Sequence, residues 1–345
     1  MKKVTIHDIA KELSVTFSTV ARALNDNPAI STATKKAVKE TAQRLGYRQN
    51  RIASSLRSGK TNTVGIIVPS LHVSFFSSVV SGIERIMNEN GYTVLLYQSS
   101  ESFNQEVKGI EKLMQLGVDA IFASVTTETE NYSYYEEIKK HNIPLILFDR
   151  VFDNGIFPGV LINDYKGGFL ATEHLIQQGY KHIVHVTAKQ NIKIFKDRLR
   201  GYVDALKQYN IPVKEELIVA GKFSLEFGKQ SVEKLVDDKL TFDAVFALED
   251  FTALGAIQQL KERKIRVPAE VGVIGFANES FGLHVTPSLS TIDQQTITMG
   301  EKVAELFVAM NKKPSETVQK IELDPILIMR QSTNRKSPAN RLRQG

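Results

Sequence analysis

Polar and charged side chains that could bind a small molecule follow several apolar segments of this 345-residue chain. These segments are predicted to be parallel β-strands, and open parallel sheets bind ligands at the carboxyl ends of their strands. Carboxylate, amide, guanidinium and hydroxyl groups there can hydrogen-bond a polar ligand, whereas two opposed carboxylates could hydrolyse a glycoside. The polar residues at the predicted strand ends are Ser70, His72, Asp149, Arg150, Asn163, Asp164, Lys189, Glu249, Asp250, Asn278 and Glu279.

A second group of chemically relevant residues lies between Thr5 and Asn25, where apolar residues at helical spacing predict two short helices. The outward face of the second helix is predicted to carry Phe17, Ser18, Thr19, Ala21 and Arg22. Helices this short are not stable alone in water, so the amphipathic segment from Thr32 to Leu45 is expected to supply a third packing surface. Such a unit is of the helix-turn-helix type.

The positive charge of the chain is concentrated at its N-terminal end. Residues 1–60 hold twelve Lys and Arg against four Asp and Glu, a net charge of +8, so the other 285 residues carry −2 of the total of +6. A basic head on a nearly neutral body is typical of a protein that binds a polyanion. The charge pattern therefore predicts nucleic acid as a partner.

The composition argues against several other classes of protein. No apolar run approaches the roughly 18–20 residues of a membrane span, and the N-terminus lacks the apolar core of a secretory signal. The absence of cysteine excludes disulfides and thiolate metal sites and fits a cytoplasmic location. The sequence contains no G-x-x-x-x-G-K-[ST], H-E-x-x-H or G-x-S-x-G motif. We therefore expect no metal, no cofactor, no membrane contact and no enzymatic activity.

From Thr61 onward, predicted strands and helices alternate. Continuous apolar strands in that arrangement imply parallel sheets with helices on both faces. The alternation restarts after residue 164, which predicts two doubly wound lobes in tandem and an α/β fold class behind the helix-turn-helix head. Between head and body, Asn50 can cap a short segment at 51–57, which would fold only when docked.

The order of these parts resembles the LacI-type family of bacterial transcription regulators over essentially the whole chain. The matching segments are TIHDIAKELSVTFSTVARALND, ASSLRSGKTNTVGIIVPS, FFSSVVSGIE, LFDR, RLRGYVDAL, EDFTALGA, VPAEVGVIGF, PSLSTIDQ and IELDPILIMRQST. The resemblance implies a helix-turn-helix head, a hinge helix or linker, and a two-lobed body like that of periplasmic sugar-binding proteins. The implied boundaries are 1–46 for the head, 47–60 for the hinge and 61–345 for the body, with lobe 1 at about 61–161 and 293–323 and lobe 2 at about 162–292 and 324–335.

For DNA binding, the resemblance implies that the second helix of the head reads the major groove. Arg22 would bind a guanine edge or clamp a phosphate, and Phe17 would pack on a thymine methyl or against the local turn. Paired hinge helices would enter the minor groove, where Leu56 would wedge between base pairs. The implied DNA-binding residues are Thr5, Thr16, Phe17, Ser18, Arg22, Ser31, Thr34, Asn50, Ala53 and Leu56.

For ligand binding, the resemblance implies a small-molecule effector in the cleft between the lobes. Asp149 and Arg198 would bracket adjacent hydroxyls, and Phe223 would stack on an apolar sugar face. Many family members have an aspartate where this chain has Ala277, and Asn278 and Glu279 are the candidates to replace it. The implied effector-binding residues are Ser70, His72, Phe75, Phe76, Asp149, Arg198, Phe223, Glu249, Asp250, Asn278 and Glu279.

The resemblance also implies a homodimer that binds palindromic operator DNA, because one head reads too few base pairs. The dimer surface is expected on the helix around 75–90 and on the segment after Ile292. The effector would favour one arrangement of the lobes and so control the affinity for the operator. The expected function is repression of carbohydrate-utilisation genes in response to a sugar; the alternatives are a purine- or nucleoside-responsive regulator and an enzyme acting on sugars.

Overall fold

The computed structural model describes residues 4–47, 60–130, 132–152, 155–189, 192–312 and 318–335. The chain divides between Thr61 and Asn62 into two compact units, which we call the head and the body. The predicted α/β fold class is confirmed, since the head is a helix-turn-helix unit and the body contains two parallel sheets. Among the described residues, no helix is both long and apolar enough to cross a membrane.

The head is a three-helix unit held together by a small apolar core. Its helices are α1 (Ile6–Glu12), α2 (Phe17–Leu24) and α3 (Thr32–Arg44). The fully buried side chains at its centre are Ile9 from α1, Val20 and Ala23 from α2, and Val38 from α3. The Asp8 carboxylate closes the start of α1 by accepting hydrogen bonds from the Thr5 N–H and hydroxyl, both at 2.8 Å. Such a bond satisfies a donor that a helix N-terminus otherwise leaves free.

Lobe 1 of the body is built on a six-stranded parallel sheet. Its strands are β1 (Thr63–Val68), β2 (Thr93–Gln98), β3 (Ala120–Ala123), β4 (Leu145–Phe148), β5 (Gly159–Ile162) and β11 (Lys320–Leu323). Its helices are α4 (Ser74–Glu89), α5 (Phe103–Gln115), α6 (Ser133–Lys140) and α11 (Thr296–Lys312). The strand order is β11-β5-β4-β3-β1-β2. Alternate residues of the strands enter two apolar cores, one beneath α4 and α11 and the other beneath α5 and α6.

Lobe 2 repeats this architecture on a four-stranded parallel sheet. Its strands are β6 (Ile183–Ala188), β7 (Ile218–Gly221), β8 (Ala244–Ala247) and β9 (Gly272–Ile274). Its helices are α7 (Asp164–Gln177), α8 (Lys193–Gln208), α9 (Leu225–Asp237) and α10 (Asp250–Glu262). The strand order is β7-β6-β8-β9, and α7 and α8 cover one face of the sheet while α9 and α10 cover the other.

The chain passes between the lobes in three segments. They follow β5, β10 (Thr291–Asp293) and β11. The last of these segments leads into β12 (Ile326–Ile328), which pairs antiparallel with β10. Both β10 and β12 therefore lie beside lobe 2, where Ser290 forms a parallel bridge with Ile274 of β9.

Two glycines allow α4 and α11 to pack closely. A Cβ on Gly300 would overlap the Val79 carbonyl oxygen, and a Cβ on Gly82 would overlap the Ile297 carbonyl oxygen. The α4 backbone thus touches the α11 backbone at this crossing. Because α4 begins at the edge of lobe 1 that faces lobe 2, this packing fixes the position of the side chains at its first turn.

Replacing Gly300 by alanine tests this packing. Alanine is a better helix former than glycine by roughly 1 kcal/mol, so helix propensity alone would stabilise the protein. We expect Gly300→Ala to lower the free energy of unfolding by about 1–3 kcal/mol, because the added methyl must push α4 away. Urea unfolding followed by circular dichroism measures the change. Ser81→Ala on the exposed face of α4 is the control and should shift it by less than about 0.5 kcal/mol. A stabilised Gly300→Ala protein would contradict the close approach.

Candidate ligand cavity and nucleic-acid interface

A cavity of about 340 Å³ lies between the two lobes, at the carboxyl ends of their strands. Lobe 1 contributes the start of α4 and the residues after β2 and β4, and lobe 2 contributes α8 and the residues after β7, β8 and β9. Seven of the predicted effector-binding residues line this cavity, namely Phe75, Phe76, Asp149, Arg198, Phe223, Glu249 and Glu279. Their contact with a ligand stays a prediction.

Asp250 was predicted at the site but is not brought into the cavity wall. Its side chain is fully buried at the start of α10, where the carboxylate accepts hydrogen bonds from the Thr291 hydroxyl and the Glu279 N–H, both at 2.7 Å. Burial raises the pKa of this carboxyl to about 7, although the two hydrogen bonds oppose the shift. Asp250 thus holds the residues after β9 in place from behind the wall.

Three further predicted residues also lie outside the cavity wall. The Asn278 amide donates to Asp293 at 3.1 Å and accepts from Arg330 at 2.6 Å, so its side chain is engaged within lobe 2. His72 is exposed, and its backbone N–H donates to the Ser70 hydroxyl at 3.2 Å. Of the two candidates to replace the missing carboxylate at Ala277, only Glu279 therefore faces the cavity.

Arg198 joins the cavity wall to the interior of lobe 2. Its Nε donates to Asp164 at 2.8 Å, one Nη to the Leu248 carbonyl at 2.6 Å and the other to Gln294 at 3.3 Å. The guanidinium lies 3.7 Å from the centre of the Phe276 ring. Burial raises the pKa of Asp164 to about 6 against the opposing charge of Arg198. Two of the five N–H groups of Arg198 make no hydrogen bond with the described residues, so they can bind a ligand.

Asp149 is the corresponding acceptor on lobe 1. Its Oδ2 accepts a long hydrogen bond from the Ser124 hydroxyl at 3.4 Å and lies 3.7 Å from the Arg150 Nε. No donor among the described residues reaches its Oδ1. Burial raises the pKa of this carboxyl, and the neighbouring guanidinium groups oppose the shift. The open oxygen gives the cavity a hydrogen-bond acceptor in a poorly hydrated position.

Arg150 and Glu101 form a bidentate ion pair in the wall of lobe 1. The two Nη atoms of Arg150 donate to the two carboxylate oxygens of Glu101, each at 2.9 Å, and one of them also donates to the Val125 carbonyl. Burial disfavours the charge of Glu101, but the hydrogen bonds and the charge of Arg150 outweigh it, so its pKa lies below the ordinary value. The pair carries no net charge. It therefore forms part of the cavity wall without changing the net charge of that wall.

Glu249 and Glu279 supply the carboxylates of lobe 2. Glu249 caps α10 by accepting from the N–H groups of Phe251 at 2.8 Å and Thr252 at 2.6 Å. Burial raises its pKa, and these hydrogen bonds oppose the shift. The Glu279 carboxylate accepts from the Ser74 hydroxyl, which belongs to α4 of lobe 1. This bond therefore spans the cleft between the lobes.

Several wall residues were missed from the sequence, among them Glu101, Phe195, Phe251 and Gln294. Glu101 follows β2 by three residues and Gln294 follows β10 directly, so the strand-end rule could have found both. Phe195 and Phe251 lie in the first turns of helices. From the sequence alone, an aromatic residue there cannot be distinguished from one that packs in the apolar core. Their sequence positions give no signal for a cavity.

A larger cavity of about 740 Å³ adjoins the first and shares Asp149, Arg150 and Ile194 with it. Its wall contains threonines, several apolar residues and charged side chains, of which Asp197 pairs with Arg200 at 3.0 Å. Only Asp149 among the predicted effector-binding residues reaches this second space. The smaller cavity is therefore the candidate ligand site.

Three residues of the smaller cavity have backbone angles in the left-handed region. Glu101 has φ 57, Asp149 has φ 62 and Ala277 has φ 136. Such angles cost a residue with a side chain of order 1–3 kcal/mol each, and they cluster where a surrounding structure holds functional groups in place. Left-handed angles also occur outside this cavity, but Ala277, with φ 136, lies farther from the left-handed helical region than Glu101 and Asp149.

The exposed face of α2 in the head contains the residues expected to read DNA bases. Phe17 is 55% exposed although its ring centre lies 5.2 Å from that of His7 in α1, so it both packs on the turn and faces solvent. Ser18 and Arg22 are exposed on the same helix. The Arg22 side chain makes no hydrogen bond or ion pair with the described residues, whereas Lys39 and Arg44 are paired with acids of the head.

The predicted phosphate-binding hydroxyls lie at helix N-termini. Thr16 accepts from the Thr19 N–H at 3.1 Å and Ser31 from the Thr34 N–H at 3.2 Å, while Thr5 is bonded to the carboxylate at the start of α1. Helix N-termini favour phosphate because their N–H groups and dipole are positive. The remaining predicted DNA contacts, Asn50, Ala53 and Leu56, lie outside the described residues.

A helix-turn-helix head and a two-lobed body with a cavity between its lobes are the parts of a DNA-binding regulator that responds to a ligand. Residues 5–50 match the family described as bacterial regulatory proteins, lacI family. Residues 61–328 match the family described as periplasmic binding proteins and sugar binding domain of LacI family. The chain therefore belongs to the LacI family of bacterial regulatory proteins.

Known proteins resemble the chain over nearly its whole length. Catabolite control protein A of Priestia megaterium is 33% identical over 332 residues, which cover 96% of this chain and 99% of the relative. The structure of a transcriptional regulator CelR–cellobiose complex is 26% identical, with a TM-score of 0.73, over 96% of this chain and 100% of that one. The lac repressor dimer bound to operator and the anti-inducer ONPF is 21% identical, with a TM-score of 0.86 over 96% and 99%, and shares the fold.

The strain at Ala277 gives a test of the cavity geometry. Glycine adopts a φ of 136 at little cost, so Ala277→Gly should raise the free energy of unfolding of the body by about 1 kcal/mol. Thermal and urea unfolding measure the change. Ala309→Gly, on the exposed face of α11, is the matched control. It should lower the free energy of unfolding by about 1 kcal/mol, because glycine is a poorer helix former than alanine. Equal losses in both variants would show that Ala277 is not strained.

Proposed function

We propose that the protein is a sequence-specific DNA-binding repressor of carbohydrate-utilisation genes, and that a sugar bound between its lobes controls its affinity for the operator. One observation carries the proposal. A single chain joins a head with an exposed Arg22 to a cavity in which Asp149 and Arg198 both keep open hydrogen-bonding groups. The first property serves DNA recognition, and the second serves recognition of a hydroxylated ligand.

The cavity chemistry supports a sugar. The open oxygen of Asp149 accepts and the remaining N–H groups of Arg198 donate, so together they can bracket adjacent hydroxyls of a pyranose ring. Phe223 adds an aromatic surface and packs edge-on against Phe195, with ring centres 5.5 Å apart. The volume of about 340 Å³ is within the range of small-molecule sites. A regulator of similar structure is described in complex with cellobiose.

A nucleobase is the second candidate ligand. Aromatic side chains stack on purines as well as on sugars, and Phe75 and Phe76 stand edge to face in the wall, with ring centres 5.0 Å apart. No catalytic residue is proposed, because Glu249 is engaged as a helix cap and Asp164 as the partner of Arg198. Those hydrogen bonds support structural roles for both carboxyl groups.

DNA binding is proposed to require a cytoplasmic homodimer. One helix-turn-helix head reads too few base pairs for specificity, and two-fold symmetry then predicts a palindromic operator. Arg22 and Ser18 would contact base edges, and Phe17 would contact a thymine methyl. Thr5, Thr16, Ser31 and Thr34 would bind phosphates; Asn50, Ala53 and Leu56 would act in the minor groove.

The ligand is proposed to act by changing the arrangement of the lobes. Arg198 belongs to lobe 2 and Asp149 to lobe 1, so a sugar held by both favours the arrangement in which they can reach it together. The bond between Ser74 and Glu279 also spans the cleft, and a ligand bound at Glu279 would compete with it. Either effect gives the ligand a different affinity for the two arrangements, which is the requirement for allosteric control.

Arg22 variants test the DNA-binding part of the proposal. Arg22→Ala should weaken binding to the operator by about 1–3 kcal/mol, because bidentate contact with a guanine is lost. Arg22→Lys keeps the positive charge but lacks the paired N–H donors of the guanidinium group. This variant should therefore lose specificity for the operator while keeping most of the affinity for unrelated DNA. Fluorescence anisotropy with selected operator DNA and scrambled DNA at one salt concentration separates the two effects. An unchanged ratio of the two affinities in Arg22→Ala would contradict base recognition by Arg22.

Asp149→Asn tests the ligand-binding part. A panel of hexoses, pentoses, disaccharides and nucleobases is first screened by thermal shift, since a ligand of the folded state raises the melting temperature. Asp149→Asn should weaken binding of any ligand found by about tenfold or more, because a charge-assisted hydrogen bond is lost. Isothermal titration calorimetry measures the affinity. Asp238→Asn, an exposed substitution after α9, is the control and should leave it unchanged. Equal affinity of Asp149→Asn and the parent protein would remove Asp149 from the site.

A further inference from the structure

The wall of the ligand cavity has an excess of negative charge. Its charged side chains are Glu101, Asp149, Arg150, Arg198, Glu249 and Glu279, four acids and two bases. Both bases are already neutralised, since Arg150 is paired with Glu101 and Arg198 with Asp164 behind the wall. Asp149 lies 3.7 Å from the Nε of Arg150. Glu249 and Glu279 form no ion pair with a base among the described residues.

Glu279 has both the charge and the open position that a ligand needs. Its side chain is only 5% exposed, and Ser74 is the one described residue that hydrogen-bonds its carboxylate. The donor is the neutral Ser74 hydroxyl, and Oε1 accepts no hydrogen bond from the described residues. A buried carboxylate without a cation is unfavourable, because it loses hydration without gaining a partner. Glu279 is one of the residues that line the cavity.

Two neighbouring carboxyl groups increase the negative potential at Glu279. Burial is the main cause of the raised pKa of Glu249, and the charge of Glu279 adds to it. The buried Asp250 carboxyl accepts from the backbone N–H of Glu279 and experiences the charges of both glutamates. Three acids thus lie together at this end of the cavity, and no described base forms an ion pair with any of them.

From this arrangement, which rests on the proposed sugar-binding function, we infer that the ligand bears a protonated amine, as an amino sugar does, and that the amine binds the Glu279 carboxylate. An ammonium group supplies three donors and a positive charge. It can hydrogen-bond the open oxygen of Glu279, and it offsets the negative charge of Glu279 and Glu249. A neutral sugar supplies hydroxyl donors but leaves the charge uncompensated when the cleft excludes water.

A negatively charged sugar is excluded by the same arrangement. A carboxylate or phosphate near Glu279 would place a further negative charge beside Glu279 and Glu249. The guanidinium groups of Arg150 and Arg198 are each already bound to a carboxylate. Asp149 and the free N–H groups of Arg198 remain available for the hydroxyls of the ring. We therefore expect the amino sugar to bind most tightly, the neutral parent sugar less tightly and the sugar acid least tightly.

Matched sugars of different charge test this order. The probes are glucosamine, glucose and glucuronate, together with the corresponding galactose and mannose series. Calorimetric titration of the full-length protein should show at least one amine that binds about tenfold or more tightly than its neutral parent, because a buried charge pair is formed. In every series the acid should bind less tightly than the parent. Equal binding of each amine and its parent, or an acid that binds more tightly than its parent, would overturn the inference.

Three variants assign the effect to Glu279. Glu279→Gln keeps the shape and removes the charge, so the preference for the amine should fall to about threefold or less. Glu216→Gln makes the same change in net charge at an exposed site outside the cavity wall and should leave the preference unchanged. Ser74→Ala frees both oxygens of Glu279 without touching its charge, and should keep or increase the preference. A preference for the amine that persists in Glu279→Gln would contradict the assignment.

The outcomes also separate this inference from the function on which it rests. A protein that binds a neutral sugar or an acid in preference to every amine remains a sugar-responsive regulator, and only the inference fails. A protein that binds none of the sugars but binds a nucleobase loses both the proposed sugar effector and the inference.

Discussion

The buried guanidinium of Arg198 is the interaction on which the arrangement of the body depends. Through its hydrogen bonds and its stacking it joins the start of α7, the end of β8, the residue after β10 and the aromatic ring after β9. The planar guanidinium fork fixes the directions of these contacts. Removing one partner of a buried ion pair typically costs about 3–5 kcal/mol, so these segments are held in one geometry. Arg198 therefore cross-links the segments that form the cavity wall of lobe 2.

The wall of lobe 1 is fixed by packing. The α4 helix carries Ser74, Phe75 and Phe76 at its first turn, and its glycine contact with α11 leaves no space for adjustment along the crossing. A ligand in the cleft thus meets two rigid faces. Interiors at native packing density transmit displacement instead of absorbing it. A ligand that changes the distance between the faces therefore displaces whole lobes.

The fold could be predicted from the sequence because the apolar residues recur with a regular period over long segments. Apolar spacing predicted all three helices of the head, and strand–helix alternation predicted the two parallel sheets, because burial of one face imposes those periods. The strand-end rule and the family resemblance together predicted eleven effector-binding residues, and seven of them line the cavity. They could not separate adjacent residues such as Glu249 and Asp250, since which of two neighbours faces a cavity depends on the rotation of the helix that follows.

The remaining failures have the same physical origin. Asn278 follows a strand and is polar, yet Arg330, distant in sequence, takes its side chain away from the cavity. Glu101 could not be recognised as the partner of Arg150, because their pairing depends on the register of two non-consecutive strands. Long-range partners decide what a polar side chain does, and a single sequence shows only its local spacing.

The three segments that connect the lobes are joined to one another. β10 and β12 form an antiparallel ladder, the Gln295 amide donates to the Asp324 carbonyl at 2.6 Å, and Asn163 donates to Glu322 at 2.7 Å. Because these contacts link the three segments, a rotation of one lobe against the other must bend all three together. The connection between the lobes is therefore one linked unit and not three separate strands of chain.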